Sequence, residues 1–243
     1  MNSMRATAVV AGVLFVVTEV AAIAGLALYR PVLNDVNYIV GAGTDGRVLA
    51  GGLCELILVV AVIGTATTLY PVLERHGKSL ALGYLCGRLL EGAVIAVGIV
   101  SVLSVVTLRQ NLAGIENPTL ITVGKSLVAI HDWTFLLGPN FILGANSLLL
   151  AALMYRSRLV PRPIAVLGLI GGPLICASAT AVLFGRYDQL SPWGSIAALP
   201  IFAWEVSLAV YLIVKGFEQS ADDIVSVERQ PETSLVRAQY SNR

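Results

Sequence analysis

Seven ionisable residues lie inside otherwise apolar stretches of this chain: Glu19, Glu55, Arg88, Glu91, His131, Asp132 and Glu205. In a nonpolar interior, five carboxylic acids beside one arginine and one histidine cannot all ionise. Some must hold their protons, or a cation or ligand must neutralise them. Such a set can bind protons or cations, or do general acid–base work in which a protonated acid is matched with a neighbouring carboxylate or with His131. Arginine keeps its charge where a carboxylate adapts, which makes Arg88 the fixed positive centre. In "GRLLEG" it stands three residues before Glu91, on the same helical face. The plainer reading of that pair is an ion pair that fixes helix register.

The stretch "AIHDWTFLLGPN", residues 129–140, adds a break. Pro139 has no N–H and crowds the carbonyl of Phe135, so a kink with a freed acceptor is expected there. Gly138 gives flexibility, and the amides of Asn140 and Asn146 can satisfy the acceptor. Asp132, Pro139 and Asn146 are spaced by sevens, which puts them on one helix face, expected to line a polar column. The residues expected to bind in that column are therefore Glu19, Glu55, Arg88, Glu91, His131, Asp132, Asn140, Asn146 and Glu205. No catalytic residue is singled out. His131 reads as a hydrogen-bonded interior or interfacial histidine in preference to a metal ligand, and the second histidine, His76, is expected on the opposite side of the membrane. A three-His zinc site is excluded by count, and no metal site and no cofactor is expected. There is no Gly-rich phosphate loop, no "GxSxG" and no "HExxH". Cys54, Cys86 and Cys176 all fall in apolar stretches, as small hydrophobes without a disulfide framework.

The elements that carry these residues follow from composition. Hydrophobic residues make up 56% of the chain, charged residues only 13%, and mean hydropathy is +0.81, whereas soluble domains carry about a quarter charged residues. A membrane helix needs ~20 mostly apolar residues. Six segments reach that length: about 6–29, 48–71, 80–106, 124–155, 162–184 and 194–214. The expected fold is all-α, a six-transmembrane-helix bundle over residues 1–217, followed by a disordered cytoplasmic tail, 218–243, that is charged and without apolar period. The first segment runs longer than the ~7–15 residues of a signal-peptide core and reads as a retained span. An ionisable group at the bilayer centre costs about 3 kcal/mol on insertion scales, against about 0.3–0.6 returned by each Leu, Ile, Val or Phe. Each helix can therefore insert, with its polar group turned inward.

Orientation follows from the basic residues. With a cytoplasmic N-terminus, the inner face collects Arg5, Arg75, Lys78, Arg156, Arg158, Arg162, Lys215, Arg229, Arg237 and Arg243. The outer face holds Arg30, Arg47, Arg109, Lys125 and Arg186. That bias follows the positive-inside rule and puts both termini in the cytoplasm. The "NDVN" and "TDG" pieces of the first outer loop lack the ligand pattern of an EF-hand. A net charge of +1 without a basic patch argues against a nucleic-acid partner. The expected partners are membrane lipid, a small hydrophobic or cationic ligand, and a second copy of the chain, because six spans are few for a monomeric transporter.

Tyr70, Leu82, Gly83 and Gly87 recur 85 positions later as Tyr155, Leu167, Gly168 and Gly172, which hints at two parallel hairpins. Their small-xxx-small spacing marks faces where helix backbones approach closely.

The runs "YPVLERHGKSLALGYLCGRLLEG" (70–92), "MYRSRLVPRPIAVLGLIGG" (154–172) and "LPIFAWEVSLAVYLIVKGF" (199–217) resemble the signature segments of a bacterial family of six-span membrane proteins, domain of unknown function 4386. The resemblance extends over nearly the whole chain to about residue 217, and its pattern matches Arg88, Glu91 and Glu205. It implies a multi-pass protein of the bacterial inner membrane and no particular activity. Three classes of function stay open: a cavity that binds a small molecule, lipid, proton or cation, as in a transporter; an intramembrane acid–base enzyme acting on a lipid or isoprenoid; and a structural or regulatory membrane subunit.

Overall fold

The computed structural model describes residues 3–41, 45–111 and 118–218. Apart from Glu218, the segment read as a disordered tail lies outside them. The architecture is all-helical, with no strand among the described residues. In chain order it comprises α1 (Ser3–Asn34), α2 (Asp45–Asn111), α3 (Pro118–Leu136), a π-helical turn (Leu137–Ile142), α4 (Leu143–Ser157), α5 (Arg162–Leu183) and α6 (Pro192–Val214). Five helices are long and apolar enough to cross a membrane, the α3–π–α4 rod counting as one of 40 residues. Large apolar side chains cover the outside: Val20, Val60, Val100 and Ile170 are all more than half exposed. A water-soluble monomer rarely shows so much contiguous apolar surface. This is the pattern of a membrane protein.

At 67 residues, α2 would reach about 100 Å if straight, some three times the hydrocarbon thickness. It is not straight. Gly77 leaves the helical region, with φ 169° and ψ 86°, and the arms on either side fold back on one another, Ile63 lying beside Gly92 and Leu103 beside Gly52. Where the expected spans end at residue 71 and resume at 80, the helix continues past Pro71 and the reversal centres on Gly77. The ring of Pro71 is accommodated within the helix of the first arm.

Of the three apolar clusters among the described residues, two are the larger. One joins Phe15, Leu69, Tyr84, Leu153, Trp204 and Leu212. The other, at the end carrying the 35–41 loop, joins Tyr29, Val48, Val102 and Val106 with Ile39. Close approach depends on glycine where backbones touch: a Cβ on Gly144 would come 2.8 Å from the carbonyl oxygen of Gly172 and 2.5 Å from Sγ of Cys176, so the α4 backbone lies directly against α5. A Cβ on Gly87 would run into the carboxamide of Asn146. The small-residue spacing of the sequence thus marks real contact faces.

The first and last helices close the bundle against each other. Arg5 donates from Nη1 to the carbonyl of Leu212 (3.2 Å) and from Nη2 to those of Ile213 (2.7 Å) and Val214 (3.0 Å). It satisfies the orphan carbonyls at the C-terminus of α6 with a cation, the sign that a helix end of this polarity favours. At the other end of the molecule, Arg109 pairs with Asp45, donates to the Gly41 carbonyl (2.9 Å) and lies over the Tyr38 ring.

Candidate functional site

Arg88 occupies the middle of the second arm of α2 and is 2% exposed. Its Nη1 donates to both carboxylate oxygens of Glu91 at 3.3 Å, one helical turn on, and its Nη2 donates to Oε1 of Glu205 on α6 at 2.7 Å. The rings of Phe15 and Tyr84 stand 5.7 and 5.6 Å from the guanidinium carbon, within cation–π range. Asn146 on α4 donates from Nδ2 to Oε2 of Glu91 at 3.0 Å. Side chains from α2, α4 and α6 thus form one buried network, with α1 contributing Glu19 alongside Glu205. Breaking such a network by removing one partner leaves an uncompensated charge in a dry interior.

On the side toward the 35–41 loop stands a second group. Nε2 of His131 is 3.9 Å from Oε1 of Glu55, and Nδ1 is 3.5 Å from Oδ1 of Asp132. The imidazole is held edge-on to Tyr29 (5.6 Å between centroids) and stacked on Phe135 (6.2 Å). Between the two groups lies a cavity of about 110 Å³. Glu19, Glu55, Arg88, Glu91, His131 and Glu205 all line it, and Leu58, Ile95 and Phe135 supply part of its apolar wall.

Three of the residues expected in the column take other places. Asn146 stands behind the cavity, holding Glu91. Asn140 donates from Nδ2 to the carbonyl of Phe135 at 3.0 Å, supplying the hydrogen bond that Pro139 cannot. Asp132 is turned out: its side chain is 63% exposed and lines a separate cavity. The reason is the π-helical turn at 137–142. A π turn accommodates one extra residue, so everything before it is rotated by about 100° relative to an unbroken α-helix. The spacing by sevens from Asp132 to Asn146 therefore no longer defines one face, and His131 takes the inward position.

Sequence reasoning passed over Tyr29, Tyr84 and Phe15. Tyr84 stands four residues before Arg88 in "GYLCGR", a spacing that brings side chains together on a helix, and was legible. Phe15 on α1 gave no such signal. The hydroxyls of Tyr29 and Tyr84 and the Nε of Arg88 are buried and make no hydrogen bond to the protein, and Tyr29 lies beside Glu55.

Residues 10–216 match the model of a family described as Domain of unknown function (DUF4386). The chain belongs to that family. No curated protein and no solved structure matches it. The DUF4386 region takes in every helix that lines the cavity, from Glu19 on α1 to Glu205 on α6. Among the described residues no three His, Cys, Asp or Glu side chains of this DUF4386 chain are placed together as metal ligands.

Proposed function

We propose that this is a multi-pass protein of the bacterial inner membrane whose central cavity binds and translocates a small cation. The two arms of α2 each cross the bilayer, giving six spans, and the excess of Lys and Arg at the Gly77 and 156–162 turns supports cytoplasmic termini. The observation that carries the functional reading is the imbalance of charge: four glutamates face one cavity with one arginine and one histidine. Arg88 is already engaged by Glu91 and Glu205, which leaves Glu19 and Glu55 as the acids open to a cationic occupant.

Size narrows the class. An apolar cavity of about 150 Å³ takes benzene, so about 110 Å³ suits a few heavy atoms. A small protonated amine or a monovalent ion fits; a whole lipid does not. Six spans are few for a transporter acting alone, and a homo-oligomer in membrane lipid is part of the proposal.

The test is methylammonium binding to the full-length protein in detergent, measured by calorimetry. Wild type binds, and Glu19→Gln and Glu55→Gln each weaken binding at least about tenfold, as loss of a buried charge partner does. Unchanged binding in both variants, or none in wild type, overturns the reading.

That Glu19 and Glu205 line the same cavity, within electrostatic reach of each other, favours a second reading. Two carboxyls sharing a proton is the arrangement of an acid–base enzyme, here an intramembrane one acting on the end of a lipid or isoprenoid that reaches the cavity. Its mark is turnover of added lipid that Glu19→Gln abolishes.

A further inference from the structure

The central cavity is not the only polar compartment. A second cavity of about 140 Å³ lies nearer the 35–41 loop, where Asp35, Tyr38, Lys125 and Asp132 line it. Asp35, Lys125 and Asp132 are exposed, so this compartment is in touch with the water at that end of the bundle. His131 stands between the two. It lines the central cavity, while the residue after it lines the outer one.

We propose that His131 is a proton-transfer residue joining the outer compartment to the central cavity, so that occupancy of the cavity is exchanged against protons. The two ring nitrogens look in opposite directions and each faces a carboxylate: Nδ1 faces Asp132 and Nε2 faces Glu55. A purely structural histidine would direct a ring nitrogen to a backbone carbonyl or a fixed side-chain donor; neither nitrogen of His131 does so among the described residues. Every element packed around the ring contributes to the arrangement. Glu55 comes from α2, Asp132 and the stacked Phe135 from α3, and the edge of Tyr29 from α1. Arg88 lies across the central cavity, where Glu91 and Glu205 hold it. The aromatic pair keeps the plane of the imidazole fixed, so its nitrogens stay aimed at the two acids.

The transfer balances without an oxidant or co-reactant. The protonated carboxyl of Asp132 gives its proton to Nδ1, and the resulting imidazolium releases the proton on Nε2 to the Glu55 carboxylate. His131 ends neutral in the other tautomer, Asp132 is a carboxylate ready to be protonated again from water, and Glu55 is neutral. The same steps in reverse return the proton to Asp132 and restore the first tautomer, so the exchange is reversible. The separations of 3.5 and 3.9 Å exceed the ~2.7–3.2 Å of a working hydrogen bond, and rotations of the Asp132 and Glu55 side chains by about 1 Å bring them into range. Neutralising Glu55 removes one of the two carboxylates open to a cation. One proton entering thus displaces one positive charge, and the proposal rests on the cation reading only for what is displaced.

The chain has two histidines, His76 and His131, so His76→Gln leaves His131 as the sole reporter. The experiment is ¹⁵N-histidine NMR of the full-length His76→Gln protein in detergent micelles between pH 5 and 9, alone and with Asp132→Asn or Glu55→Gln. Expected is a His131 that changes protonation state reversibly in this range, with ring N–H exchange slowed at least about tenfold by Asp132→Asn, a floor set below the roughly 10²–10⁴-fold that a positioned proton donor contributes. Asp132 is exposed, so that variant retains the fold. His131 in one protonation state throughout, or exchange that Asp132→Asn leaves unchanged, overturns the proposal. Calorimetry with methylammonium in buffers of different ionisation enthalpy separates the two readings. If His131 behaves as expected and methylammonium does not bind, the relay stands and the cation reading falls. If methylammonium binds without releasing protons, the cation reading stands and the exchange against protons falls.

Discussion

Arg88 and Glu205 are 117 positions apart in the chain and meet at 2.7 Å in the interior, on helices that share no loop. Neither is more than 5% exposed. Their meeting ties the second arm of α2 to α6, and Glu91 and Asn146 extend the tie to α4.

Removing the cation is therefore expected to cost far more than removing one acid. Arg88→Met leaves Glu91 and Glu205 buried without their partner and is expected to destabilise the protein by about 3–5 kcal/mol. The double variant Arg88→Met/Glu205→Gln is expected to lose less than the sum of the two single changes. Thermal unfolding in detergent, followed by Trp fluorescence, measures both, and strict additivity would deny that the pair is coupled.

Two glycines of one helix face predict opposite outcomes. A Cβ on Gly83 meets only Leu149 Cδ1, at an ordinary 3.5 Å, so Gly83→Ala should be neutral or stabilising by up to about 1 kcal/mol. Gly87→Ala pushes into the Asn146 carboxamide that holds Glu91, and should cost about 1–3 kcal/mol. Comparison of the two melting temperatures decides it.

The π turn makes a prediction by rescue. Asn140→Ala strips the Phe135 carbonyl of its side-chain donor and is expected to cost about 1 kcal/mol. Adding Pro139→Ala supplies a backbone N–H able to reach that same carbonyl in the i→i−4 pattern. The double variant should therefore be more stable than Asn140→Ala alone. A double variant no more stable than the single one would mean that the carbonyl is satisfied some other way.

Asp132→Asn, by contrast, is expected to change stability by less than about 0.5 kcal/mol, as for most exposed positions, because its side chain is 63% exposed. Its effect belongs to proton exchange at His131. A large loss of stability would place Asp132 among the packed residues instead.

The six-span arrangement is checked by labelling. In a variant lacking Cys54, Cys86 and Cys176, Asp35→Cys is expected to react with a membrane-impermeant maleimide in intact spheroplasts, and Glu74→Cys only after lysis. Equal labelling of both before lysis would rule out the Gly77 reversal as a cytoplasmic turn.

Much of this was legible because lipid forces a simple code. Apolar runs of fixed length become helices, and ionisable residues inside them turn inward, so the sequence pointed to Glu19, Glu55, Arg88, Glu91, His131 and Glu205. The i,i+3 pair Arg88–Glu91 could be read directly; its third member, Glu205, could be named but not paired, since pairing across helices depends on packing that no local spacing encodes. The expected position of Asp132 failed for a specific reason. Spacing by sevens assumes an unbroken α-helix, and Pro139 together with the Asn140 side chain resolves the kink as a π turn, which shifts the register by one residue and exchanges Asp132 for His131. Likewise the expected spans stop at residue 71 and resume at 80, whereas between them only Gly77 departs from helical geometry.

The clasp of Arg5 on the last carbonyls of α6 joins residues more than 200 positions apart. It gives the bundle an order of biosynthesis. The ribosome delivers α1 first and α6 last, and until α6 arrives Arg5 lacks those carbonyls, Arg88 has Glu91 but not Glu205, and the cavity lacks a wall. A nascent chain cut short before residue 192 thus carries a half-paired arginine among its helices, and completion of translation is what turns a set of inserted helices into a closed site.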